Sequence, residues 1–129
     1  MRNVMRTSFV VALTLSGCGV SREEKIADAK DQYLTAKAAC VAAYPGSLTL
    51  QSDCRTRAAN EYIRPWYRYG DLMTRMQETR RALAVEADAH EITRAEFDLQ
   101  VARAEKAVAR EDAHRNEAAR MISAHNALP

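Results

Sequence analysis

From Ile26 onward, apolar residues recur at alternating steps of three and four: Ile26, Ala29, Tyr33, Ala36, Cys40 and Ala43. That spacing lays them along one stripe of an α-helix and fits no strand, whose faces alternate every second residue. The stripe has a marked start. Ser21-Arg22-Glu23-Glu24 is a capping box, in which the Ser21 hydroxyl accepts from the third helical N–H and Glu24 reaches back to the Ser21 backbone. It also has a marked stop at Pro45-Gly46. A helix is therefore predicted over 22–43.

Helical spacing returns near Thr49 or Ser52, with Leu50, Cys54, Ala58 and Tyr62 on one side. Pro65 falls inside this pattern and either kinks one long helix or separates two, because proline has no N–H to give the preceding turn. We read a kinked helix over 50–89, its seam resuming with Trp66, Tyr69, Met73, Met76, Leu83 and Ala87. Arg80 interrupts that seam and is expected to snorkel outward. Thr93-Arg94-Ala95-Glu96 is a second capping box, with Ile92 before it as a hydrophobic staple. It opens a third helix over 93–123, with Phe97, Val101, Ala104 and Val108 as its seam and Ile92, Leu99 and Ala102 beside it. The competing reading is one unbroken helix from Trp66 to Ser123, since neither glycine nor proline enforces a break across Ala89-His90-Glu91. Residues 125–129 are expected to fray.

The N-terminus carries a different pattern. Arg2 and Arg6 precede an apolar run from Phe9 to Leu15, then Leu15-Ser16-Gly17-Cys18. The run is too short to span a bilayer. The layout resembles the signal peptide and lipobox of bacterial lipoproteins. The resemblance implies that residues 1–17 are removed and that Cys18 becomes an acylated first residue. The covalent lipid is then the only group the protein carries, with no cofactor, and residues 18–21 form a short tether. It also implies the periplasmic side of the cell envelope, and Gly19 in place of Asp favours the outer membrane.

Removal of the leader takes Arg2 and Arg6 with it and leaves 17 basic against 17 acidic residues. A formally neutral exported chain has no electrostatic basis for nucleic-acid binding. With Cys18 acylated, Cys40 and Cys54 remain, in a compartment where disulfides persist, and they flank the turn Tyr44-Pro45-Gly46-Ser47. A structural disulfide is expected; the short Cys-x-x-Cys spacing of a redox pair is absent. Seven Arg against three acids between Arg55 and Arg81, and nine acids against six bases between Glu86 and Arg120, favour antiparallel pairing of the last two segments. The expected fold is all-α: a disulfide-stapled helical hairpin or elongated three-helix bundle, one domain over 22–124.

Around the second capping box, Leu83, Ile92, Thr93, Glu96 and Phe97 resemble a SHOCT-type short C-terminal module, over about 15 of 129 residues. That family opens its second helix with Ile-Thr-x-x-Glu-Phe after a tight turn. The resemblance implies a helical hairpin and self-association. The family's turn glycine is missing; His90 and Glu91 stand there instead.

Catalytic chemistry finds no footing. His90-Glu91-Ile92-Thr93-Arg94 begins like a zinc motif, but Arg94 occupies the second ligand position. Glu111-Asp112-Ala113-His114 supplies one Glu-x-x-His where a di-iron bundle needs two and two further glutamates. The segment around Asp88 lacks the glycine and spaced ligands of a calcium loop. No metal and no enzyme activity are expected. The functional lead is the aromatic–basic run Tyr62, Arg64, Trp66, Tyr67, Arg68 and Tyr69, which holds four of the seven aromatics beyond Cys18. Such side chains anchor interfaces and stack on sugars. The alternative is that Trp66 and Tyr69 are core. The expected role is a non-catalytic interaction module whose partner is an envelope protein or a second copy. Two alternatives are a binder of cell-wall glycan and an exclusion, immunity or lysis lipoprotein of a mobile element.

Overall fold

A computed structural model describes Gly19 and residues 21–127. The leader and lipobox readings, Cys18 included, lie outside the described residues. The chain forms four α-helices: α1 (Arg22–Ala43), α2 (Leu48–Tyr62), α3 (Gly70–Asp88) and α4 (Arg94–Asn126). No strand occurs among the described residues. Both capping boxes are in place, Ser21 with Glu24 and Thr93 with Glu96. Cys40 and Cys54 are joined, their Cα atoms 5.7 Å apart.

Pro65 separates two helices where a kink was expected. Arg64–Trp66 form a single 3₁₀ turn, and Tyr67 then takes extended backbone, so the chain reverses before α3 begins. The seam drawn through Trp66 and Tyr69 therefore does not exist: both precede the helix. At the other end of α3 the break across 89–93 is real. His90 stands at φ 59°, the left-handed position usually filled by glycine. Its N–H bonds the Ala87 carbonyl and the Glu91 N–H bonds that of Glu86, which closes a Schellman motif. Histidine is among the non-glycine residues that tolerate this region.

Each helix packs antiparallel on the next, α1 on α2, α2 on α3 and α3 on α4. A helix packed on both sides needs two buried faces, and α2 and α3 have them. In α2 the buried residues are Gln51, Ser52, Ala58 and Ala59, so the stripe is rotated from the expected one and Leu50 is 49% exposed. In α3 they are Leu72, Met73, Met76, Gln77, Arg80, Leu83 and Ala84. The apolar centre is Met76, Leu83 and Ala84 of α3 against Phe97 and Val101 of α4, with Leu48, Ile92 and Val108 at its edge. Leu99, placed beside the seam, points outward.

A 33-residue α4 against a 19-residue α3 measures about 50 Å against about 28 Å at 1.5 Å per residue. Arg115 already meets Asp71 in the first turn of α3, so the last turns of α4 run past it with Met121 and Ile122 exposed. The helix continues through Asn126.

Candidate functional site

The aromatic–basic run occupies the corner between α2 and α3, and the fold divides it into structural and exposed members. Arg64 is a brace. Its Nε donates to Asn60 Oδ1 at 2.9 Å and its Nη2 to Thr74 Oγ1 at 3.0 Å. Thr74 in turn donates to the Gly70 carbonyl, and Gln77 Nε2 to Asn60 Oδ1. Gly70 makes room for this: a Cβ there would stand 3.3 Å from Arg64 Nη1. The corner is thus tied by polar bonds where proline removed the helical ones.

Tyr69 is held between two cations, Arg68 at 5.6 Å and Arg115 at 5.4 Å from its ring centroid. Arg115 also bonds Asp71 at 2.7 Å and Glu111 at 2.8 Å, and the bond from Arg115 holds the Asp71 carboxyl below the usual carboxylate range. Tyr67 is half-buried in the same corner. Burial, then Asp112 and Asp71, push its phenol above the ordinary value, with Arg115 opposing them.

Trp66 is left outward. It is 38% exposed, not core, and Arg68 beside it is exposed as well. Trp66 and half-buried Tyr62 share a shallow depression with Lys25, Asp28, Ala29 and Gln32 of α1 and with Glu61. The exposed aromatic surface therefore adjoins the first turns of α1. Its chemistry is stacking, flanked by amide, carboxylate and ammonium groups. It contains no nucleophile paired with a base.

The structure gives other roles to several residues of the two metal-like motifs. His90 sets the α3–α4 turn, Arg94 pairs with Asp98 and Glu111 with Arg115. Among the described residues no group of three or more His, Cys, Asp or Glu side chains converges. Asp88, which stands in the segment that lacks a calcium loop's glycine and spaced ligands, caps α2. It accepts from Ser47 Oγ, Leu48 N–H and Thr49 N–H, each at 2.9 Å. Desolvation raises its carboxyl, but those bonds outweigh it and hold it at about 2.

Sequence reasoning missed one site. Arg80 does not snorkel: it is 6% exposed, lies between α1 and α4, and bonds Glu105 at 3.1 Å. The available signal was an arginine at a seam position, the opposite of a surface residue by spacing.

No helix of the described residues is long and apolar enough to cross a membrane. Comparison with protein-family models, with curated proteins and with solved structures gives no match.

Proposed function

We propose that the chain is a small lipoprotein of the bacterial cell envelope, anchored through Cys18 to a membrane facing the periplasm, the outer membrane being favoured. Its helical body serves as a non-catalytic module that binds an envelope protein through the corner between α2 and α3. The observation that carries this is the exposed Trp66 with Arg68 on a corner where Tyr69 lies against Arg68 and Arg115 and Arg64 is bonded to Asn60 and Thr74. A rigid mount lowers the entropy lost when an exposed Trp is buried by a partner. The position is also suitable. In sequence, only two residues separate Cys18 from the Ser21 cap, and the Trp66 depression is lined by Lys25, Asp28, Ala29 and Gln32 of α1, which supports a contact surface on the anchored side.

The test is cross-linking and affinity capture of the lipidated protein from envelopes, with Trp66→Ala and Cys18→Ala alongside. Trp66→Ala should retain helicity and export yet lose the captured protein, and Cys18→Ala should lose it through release from the membrane. Capture by Trp66→Ala at the wild-type level would sink the proposal.

A second reading has one observation in its favour: aromatic faces bordered by Asp28, Gln32 and Glu61 also suit a sugar ring. Sedimentation with purified peptidoglycan, lost on Trp66→Ala, would select glycan as the ligand.

A further inference from the structure

Helices α1 and α4 face each other across a groove floored by α2 and α3, and one end of that groove is built of cations. Lys37, Arg55, Arg80 and Arg94 line a cavity of about 260 Å³ together with Asp98 and Glu105. Two of these cations are neutralised, Arg94 by Asp98 at 3.2 Å and Arg80 by Glu105 at 3.1 Å. Among the described residues Lys37 and Arg55 have no ion-pair partner, which leaves the lining two charges positive.

The same wall gathers unsatisfied polar atoms. Ser52 Oγ, Arg55 Nε and Arg80 Nε are buried without a hydrogen-bond partner among the described residues, and all three residues line this cavity. Ser52 is 2% exposed. A buried polar group left unpaired destabilises the fold, so three in one wall are not a neutral feature of packing. Two guanidiniums also stand close enough to oppose each other. Burial first, and then the charge of Arg55, lower Arg80 from its ordinary value, against opposing contributions from Tyr33 and Glu105.

We propose that this groove is a phosphate-binding site, with Arg55, Arg80 and Ser52 as its donors and Lys37 beside them. An oxyanion between the two guanidiniums replaces their repulsion with two attractions and supplies acceptors to donors that have none. A phosphate monoester carries about −1.5 to −2 charges near neutral pH and matches the residual +2, whereas a carboxylate brings one. On the other side of Arg80, which lines both, is a second cavity of about 170 Å³ whose lining is mainly apolar, with Tyr33, Ile63, Met73, Met76 and Val108, and a phosphate bearing a hydrocarbon substituent would find apolar surface there. The phosphate group is the shared chemistry of two sources, a free ion and a lipid headgroup.

The test is thermal melting of the full chain, followed by circular dichroism at constant ionic strength. It is run in chloride, in inorganic phosphate and with monomeric dihexanoyl phosphatidic acid, on wild type, Arg55→Gln and Ser52→Ala. A saturable rise in melting temperature is expected for the wild type. Arg55→Gln should need at least about tenfold more ligand, because one charge-assisted pair is worth about 1.5–3 kcal/mol and each 1.4 kcal/mol is tenfold. Without ligand it should melt no lower than wild type, since its removal relieves Arg80. Ser52→Ala, which deletes a hydroxyl already unpaired, should also fold and respond more weakly. Response to inorganic phosphate assigns a soluble anion; response confined to phosphatidate assigns the lipid headgroup. Either supports the site. No rise with either ligand overturns it, as does an Arg55→Gln chain that melts lower yet responds like wild type. The proposal is independent of Trp66 and of the anchor, so its failure leaves the envelope role standing.

Discussion

The two hairpins of this molecule are held together by different means. In α3 and α4 the buried residues include Leu72, Met73, Met76, Leu83, Phe97 and Val101, a conventional apolar centre. In α1 only Ala29 and Cys40 are buried, and α2 answers with Gln51, Ser52, Ala58 and Ala59. Alanine removes little area from water, and at about 25 cal/mol per Å² the first hairpin gains far less from burial than the second. The Cys40–Cys54 disulfide closes the first hairpin covalently, and Gln51 Nε2 donates to the Tyr44 carbonyl at its turn. A chain of this size can leave half its body thinly packed where a disulfide supplies the closure.

The largest effect should come from the packed half. Leu83→Ala removes a buried side chain from the cluster with Phe97 and Val101 and should cost about 2–5 kcal/mol. Ile26→Ala, a similar truncation on half-buried α1, should cost well under half of that. Chemical denaturation of both variants measures the asymmetry. Equal losses would mean that the hairpins do not differ in the way their burial suggests.

Reduction of Cys40–Cys54 comes next. The bond closes a loop of 14 positions, for which chain entropy gives about 3 kcal/mol. Its effect should be local as well as global. Amide exchange in α1 should accelerate most, because little else secures that helix, while the amides of α3 opposite Phe97 stay protected. Uniform acceleration along the chain would show instead that the bond stabilises all four helices as one unit.

These contrasts also explain which parts of the fold could be read in advance. The capping boxes at Ser21 and Thr93 are local in sequence, and so is the turn between Cys40 and Cys54; all were legible. The corner at Pro65 was half legible: proline announces an interruption, but the reversal depends on Arg64 reaching Asn60 and Thr74 across a space opened by Gly70. The break at His90 has no glycine to mark it, since a histidine takes the left-handed position. Arg80 was misplaced because a periodic pattern cannot say whether an interrupting charge is buried beside a partner 25 residues away. In the candidate surface, the cluster 62–69 was visible as composition. Its division into brace, clamped ring and exposed Trp66 was not, because that division depends on Thr74 and Arg115, which lie on other elements.

The smallest of the three effects tests where the two hairpins are joined. Asp88, the last residue of α3, serves as a cap for α2, satisfying the Leu48 and Thr49 amides while Ser47 Oγ takes the Leu50 amide. A carboxylate at a helix N-terminus gains from hydrogen bonds and dipole together. Removing it with Asp88→Ala should cost about 1 kcal/mol, within the range of 0.5–2 kcal/mol for lost caps. The sign of its pH dependence follows from its depressed carboxyl. With a folded value of about 2 against an ordinary 3.8, the contribution is fully present above about pH 4 and is lost as pH falls toward 2. Asp71 and Glu96 are lowered too, so wild type should weaken in acid with all three. The difference between wild type and Asp88→Ala isolates one of them: it should be constant above pH 5 and shrink between about pH 4 and pH 2. A difference that persists undiminished at pH 2 would mean that Asp88 acts through packing, and that the seam between the hairpins is held by something other than this charge.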